Sequence, residues 1–379
     1  MTTIHGRGGR PRLRDGGLLL GRVGGVPVLL AHSWWLLAVA IVVLYTPLVE
    51  MLVPGTGLVT SVLLAAAFAV LLAVSVLLHE LGHCVVALRL GLPVRRVRLQ
   101  LLGGAAELVR TPSKPGQEGW VAAAGPAVSV GLAALAGLAL LLVRDGGVLW
   151  LLVLQVAVAN AAVAVVNLLP GLPLDGGRVL RALVWAATGK RMTGTRVAVV
   201  GAGVVAAAMV WWAVMGLAAN TPDRWLRLAV CVLMAWFVVI GAGAEMANEQ
   251  QRTWPEGLTL AALVRPILQL PAESPVADAL DASAGRGVVL VRADGVAAGL
   301  LDAAMAARLA ATSPLAPAER AAEPINAETV ILDSEPGEEI IDRVRGTAAW
   351  QFLVVDEDGR PAGVLHREDL RDALRRRRG

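Results

Sequence analysis

Residues 58–87 read LVTSVLLAAAFAVLLAVSVLLHELGHCVVA. In the first 21 of these residues the only polar side chains are Thr60, Ser61 and Ser75, so the run suffices for one crossing of a hydrocarbon core, which takes about 20 residues. It then continues through His79-Glu80-Leu81-Gly82-His83 into further apolar sequence. An ionisable residue at the bilayer centre costs roughly 2.5 to 3.5 kcal/mol, so three clustered polar side chains call for a partner or a function. On an α-helix His79 and His83 share a face, about 6 Å apart along the axis, and both imidazoles can converge on one ion. Glu80 is turned by about 100° and can reach a water held by that ion. With 5 His and 16 Glu in 379 residues, chance supplies about 0.003 H-E-x-x-H matches, a poor explanation for the motif. The bland alternative is a helix end whose polar groups merely meet lipid headgroups.

Five more segments are long and apolar enough to span: 34–53, 120–143, 148–169, 197–217 and 226–244. The whole chain is 56% hydrophobic and only 17% charged, which rules out a single soluble globule, where about 25% charge is usual. The apolar excess is confined to 29–247, and acidic and basic residues return to ordinary density from 256 onward. The expected organisation is an N-terminal segment (1–28), a six-span domain (29–247), a linker (248–257) and a soluble half.

Lys and Arg in short loops set orientation. Arg7, Arg10, Arg12, Arg14 and Arg22, then Arg89, Arg95, Arg96, Arg98, Arg110 and Lys114, then Arg178, Arg181, Lys190, Arg191 and Arg196 fall on one side; Arg144, Arg224 and Arg227 fall on the other. Both termini are therefore expected in the cytosol of a multi-pass cell-membrane protein, and the scarcity of Lys beside Arg suggests a bacterial source. Residues 1–28 lack a cleavage site after a short apolar core and read as a cytosolic lead-in. The net charge of +4 is topology charge facing anionic lipid, and no nucleic-acid partner is expected. Cys84 and Cys231 sit inside apolar runs and cannot form a zinc knuckle. Between spans two and three, 94–110 alternates apolar and basic residues up to Gly103-Gly104, the pattern of a hairpin at the membrane surface or of an ordinary loop.

Catalytic zinc takes three protein ligands and keeps a fourth position for water. His5, His32 and His366 are poorly placed to be the third ligand. Asp175 is better placed, in 167–177, NLLPGLPLDGG, after span four on the cytosolic side. Two prolines and three glycines prevent a regular helix there, and irregular backbone at membrane depth survives only when buried in protein or lining a wet cavity. Asp175 could instead simply cap the helix that begins near Arg178.

The soluble half repeats at about 60 residues: helix 275–280, strand 287–292, an Asp294-Gly295 turn and strand 296–301, against helix 336–344, strand 351–355, an Asp358-Gly359 turn and strand 362–365. This order resembles a tandem pair of cystathionine-β-synthase-type (CBS) domains at 258–316 and 323–376, which associate into discs and often bind adenosine nucleotides. The phosphate-binding Ser or Thr of such sites is missing from both copies, and only Asp369 matches the ribose-binding Asp. Dimerisation is the role expected, with at most weak nucleotide affinity.

The motif at 79–83, Ala124-Gly125-Pro126 and 167–177 together resemble the site-2 protease family of intramembrane zinc metalloproteases, in its subgroup with C-terminal CBS domains. The resemblance implies a polytopic α-helical membrane protein of about six transmembrane helices with a membrane-associated β-hairpin, plus a cytosolic α/β tandem CBS module. It implies one zinc per chain held by His79, His83 and Asp175, with Glu80 as general base. It further implies that Asn167 lies near the scissile peptide, that Gly125-Pro126 shapes helix packing, and that Gly103 and Gly104 belong to a substrate-facing hairpin. The expected substrate is a single-span membrane protein, such as an anti-sigma factor or membrane-tethered regulator, cleaved in regulated intramembrane proteolysis, and the expected assembly is a homodimer through the CBS pair. A catalytically silent zinc scaffold and a CBS-regulated transporter are the rival readings; spans five and six carry little of the polar lining a transporter needs.

Overall fold

The computed structural model describes residues 17–100, 103–108, 111–143, 146–255, 257–284 and 286–376; His5, Arg7, Arg10, Arg12, Arg14, Arg110 and Arg144 lie outside these. The chain divides into two compact units, 1–249 and 250–379.

The first unit opens with a hairpin, β1 (Gly17–Val23) and β2 (Val26–Ala31), followed by α1 (Ser33–Leu52) and α2 (Gly57–Arg89). A second hairpin, β3 (Val94–Gln100) and β4 (Gly103–Leu108), precedes α3 (Pro115–Leu140), α4 (Val148–Leu168), α5 (Asp175–Thr188), α6 (Arg191–Ala218) and α7 (Arg224–Arg252), the last of which runs across the boundary between units. Among the described residues six helices, α1 to α4, α6 and α7, are long and apolar enough to cross a membrane. The protein is a helical membrane protein. At 33 residues α2 is about 50 Å long, well beyond the hydrocarbon thickness, and the histidine motif sits in its surplus C-terminal third.

The sequence reading of 1–28 as a cytosolic lead-in assigns no element there, and the structure places β1 and the start of β2 in it. Gly24 and Gly25 take φ of 57° and 84°, the pair of positive angles that a two-residue turn demands and that side-chain-bearing residues resist. The four strands form one sheet in the order β1-β2-β3-β4. Its outer pairs are antiparallel and the central β2–β3 pair is parallel, with Leu30 opposite Leu99. Val26, Val28 and Val97 pack on Cys84, and Leu30 and Leu99 on Val76 and Trp34, so the sheet is fastened to the part of α2 that carries the motif.

The second unit holds β5 (Val264–Arg265), β6 (Ile267–Pro271), α8 (Val276–Ala282), β7 (Gly287–Val291), β8 (Ala297–Leu301), α9 (Ala303–Thr312), β9 (Ala322–Glu323), β10 (Val330–Leu332), α10 (Gly337–Gly346), β11 (Gln351–Val355), β12 (Pro361–His366) and α11 (Arg367–Arg376). Two four-stranded sheets result, β6-β7-β8-β9 and β10-β11-β12-β5, each beginning with a parallel pair followed by an antiparallel one. The short strands are exchanged: β5 precedes the first copy yet completes the sheet of the second, and β9 does the converse. Val289 and Leu300 of one copy share a core with Leu353, Val355 and Val364 of the other.

Candidate metal centre

His79, Glu80 and His83 are 3, 6 and 7% exposed on α2, and Asp175 is 7% exposed as the first residue of α5. What brings α5 back onto α2 is the segment between α4 and α5. Pro170 and Pro173 prevent α4 from continuing, and Leu172, fully buried among Ala198, Ala202 and Val238, anchors the irregular backbone inside protein. Its N–H donates to the Ala198 carbonyl at 3.3 Å. Gly176 permits the close return: a Cβ there would lie 2.6 Å from the Leu169 oxygen, so only a bare Cα lets the first turn of α5 rest on the end of α4. Asp175 does not cap its helix, because Leu174 occupies the N-cap position and its own carboxylate is turned to the histidines.

Asp175 Oδ2 lies 3.1 Å from His79 Nε2 and 3.2 Å from His83 Nε2, and the two Nε2 atoms are 3.2 Å apart. The far side of each ring is anchored: His83 Nδ1–H donates to the Val121 carbonyl at 2.7 Å, and His79 Nδ1 meets the Ser129 hydroxyl at 3.0 Å. A neutral imidazole that donates from Nδ1 carries a lone pair on Nε2. In its neutral form His83 therefore aims a lone pair at the Asp175 carboxylate oxygen and at His79 Nε2, an arrangement that a cation between them would satisfy. Tetrahedral zinc with bonds of about 2.0–2.1 Å sets its ligands about 3.3 to 3.4 Å apart, close to the spacing found. The donor set of two imidazoles and one carboxylate, each imidazole held from behind by a hydrogen bond, fits zinc. A Glu80 carboxylate oxygen, an Nε2 or Nδ1 of His79 and one of His83 all lie within 4.8 Å of one another, so Glu80 stands beside the three donors without being needed to complete the set.

Gly125 of α3 closes one side. A Cβ built on it would overlap His83 Nε2 and lie 2.6 Å from His79 Nε2, so the missing side chain is part of the cavity. The sequence motif locates Gly125 only by resemblance, and nothing in the sequence marks the Val121 carbonyl or Ser129 as ring anchors. The other expected site residues belong to other elements. Asn167 is half-buried near the end of α4, and its amide donates to the Val163 carbonyl at 3.0 Å, one turn back. Gly103 and Gly104 open β4, the outer strand of the sheet. Asp369 belongs to the second unit and is held by Arg265 in a two-pronged ion pair of 2.7 and 3.0 Å. His32 is exposed at the start of α1, and His366 ends β12.

Residues 67–149 and 144–212 match the profile of peptidase family M50, and residues 327–376 that of the CBS domain. The chain carries a peptidase family M50 (site-2 protease) domain in its membrane half and a CBS domain after it. It is 33% identical over 264 residues to a protein of Synechocystis sp. provisionally named a zinc metalloprotease, a match covering 65% of this chain and 64% of that one. It is 35% identical over 233 residues to the Mycobacterium tuberculosis protein Rip3, also provisionally named a zinc metalloprotease, over 60% of this chain and 58% of that one. The chain thus spans somewhat under two thirds of the length of these relatives. The solved site-2 protease from Methanocaldococcus jannaschii is 25% identical, with a TM-score of 0.41 over 64% of this chain and 99% of that one.

Proposed function

We propose that the chain is an intramembrane zinc metalloprotease that cuts the transmembrane segments of membrane protein substrates. The observation that carries this is the convergence of two Nε2 atoms and one carboxylate oxygen, with Glu80 alongside, where His79, Glu80 and His83 lie on a helix long and apolar enough to cross a bilayer. Zinc bound there supplies Lewis acidity, which makes water nucleophilic near neutral pH and polarises the peptide carbonyl. Glu80 takes the proton from the attacking water and hands it to the leaving amine. The Val121 carbonyl keeps His83 in the tautomer that presents an Nε2 lone pair, Ser129 holds the His79 ring in place, and Asp175 would add the negative charge that holds the cation. The buried surroundings exclude bulk water, so an inlet from the cytosolic side must serve the site.

The substrate we favour is a single-span membrane protein, such as an anti-sigma factor or other membrane-tethered regulator, whose helix unwinds to expose one peptide bond. Among the described residues β4, beginning at Gly103 and Gly104, is an outer strand, and its edge is the place we assign to such an extended segment, with Asn167 the polar side chain assigned to the neighbourhood of the scissile bond. Six spans with both termini cytosolic account for the arginine distribution. The repeated sheets of the second unit act as a tandem CBS module that joins two chains. Any adenosine nucleotide must compete with Arg265 for Asp369, so its affinity is expected to be weak. Comparing membrane proteomes of cells producing the unmodified chain or its Glu80→Gln variant tests the proposal. Single-span proteins should accumulate uncut with the variant; indistinguishable fragment patterns would overturn it.

A further inference from the structure

Elsewhere in the first unit, α3, α5, α6 and α7 meet through six charged side chains whose bonded pairs lie as much as 73 residues apart in sequence. Glu118 of α3 binds Arg181 of α5 and, at 3.1 Å, Arg191 of α6. Glu245 of α7 binds Arg181 at 3.2 Å and Arg178 at 3.7 Å, while Glu249, one turn further along α7, binds Arg191. Three carboxylates balance three guanidinium groups. The set is deepest at its centre, where the Glu118 and Arg181 side chains are 4 and 5% exposed, and shallower at Glu245, at 26%. Such a set is stable only when complete, because deleting one member leaves its partner charged and buried.

Its place in the fold gives it leverage. Glu118 lies one turn before Val121, whose carbonyl anchors His83, on the helix that also bears Gly125 and Ser129. Arg178 and Arg181 lie one and two turns beyond Asp175 on the same short helix. The two helices that anchor the histidines and supply the third ligand are thus held together at this point, and the clasp is α7, which runs without a break into the start of the second unit.

We propose that Glu245 and Glu249 are positioning residues: through Arg181 and Arg191 they set α5 against α3, and so fix Asp175 relative to His79 and His83. A displacement of α7 then changes metal affinity at a distance. This rests on reading the site as a zinc centre, but it does not need the protein to be a protease.

The test is chelator competition for zinc on the purified full chain. Removing a group bonded directly to a metal ligand typically weakens binding about 10- to 100-fold, and Glu245→Gln with Glu249→Gln, which act through the arginines, should lose affinity by about 10-fold, at the low end of that range, while helix content is kept. Glu245→Gln alone, at the more exposed position, should lose about threefold and serves if the double variant does not fold. Asp223→Asn, which breaks the exposed Asp223–Arg227 pair just before α7, should leave affinity unchanged. Unchanged affinity in the folded Glu245 and Glu249 variants would overturn the proposal, as would an equal loss in Asp223→Asn. Absence of peptidase activity in every form would sink the protease reading and leave this one standing on the zinc data.

Discussion

Replacing Gly125 by Ala adds one methyl group to the most crowded face of the metal centre. That methyl would start 2.6 Å from His79 Nε2 and His83 Cε1, whereas ordinary contact begins at 3.4 Å. Either α3 retreats or the rings turn, by at least about 0.8 Å and by more at His83 Nε2, which is at least about four times the 0.2 Å within which metal–ligand distances must be held. Retreat of α3 is costly, because it carries the Val121 and Ser129 anchors with it. Forcing a methyl group into a filled interior costs about 1 to 3 kcal/mol, and if the metal-bound state bears all of it zinc binding weakens about 5- to 150-fold. The assay is zinc competition against a calibrated chelator, with circular dichroism to show that the helices persist. A Gly125→Ala protein that folds and binds zinc as tightly as the unmodified chain would refute the claim that this glycine forms a wall of the site.

Ser129→Ala removes the partner of His79 Nδ1 and should weaken zinc binding by about 10-fold or more, again by chelator competition. In the second unit burial, with Arg265 nearby, lowers the pKa of His366 from its usual 6.5, while Asp369 and Glu368 act weakly in the opposite sense. The unfolded chain then protonates first, so the stability contributed by neutral His366 is complete above about pH 6.5 and is lost as pH falls from there through the lowered folded value. Protection of β12 against hydrogen exchange in the full chain, corrected for the intrinsic exchange rate at each pH, should fall between pH 7.5 and 5.5, and His366→Asn should flatten that dependence. A reporter fused to the C-terminus should be active only on the cytosolic face; activity on the outer face would move the metal centre to the other side.

The clustered donor side chains were legible because helical geometry turns a spacing of four residues into a shared face, so His79 and His83 declared their convergence and Glu80 its neighbouring position. Asp175 was legible for a different reason: prolines and glycines at membrane depth are too expensive to leave unexplained. What stayed hidden depends on distant packing. The anchors of His83 and His79 lie 38 and 50 residues away, and one of them is a backbone carbonyl, which no residue type can advertise. Arg178, Arg181 and Arg191 were counted as topology charges, and only the fold pairs them with Glu118, Glu245 and Glu249. The β1–β2 hairpin was missed although Gly24-Gly25 between two apolar runs is a turn signal; the arginines before it drew the reading toward a lead-in. The repeat in the second unit was visible in its turns, but the exchange of β5 and β9 was not, because two-residue strands carry no periodicity.

Cleavage of a purified single-span substrate by the unmodified chain and by Glu80→Gln, with zinc measured in the same samples, tests the central claim most directly. Gln keeps the size of the side chain and cannot take the proton, so both proteins should hold one zinc per chain while cleavage falls at least about 10²-fold in the variant. Undiminished cleavage by a zinc-loaded Glu80→Gln protein would contradict the account.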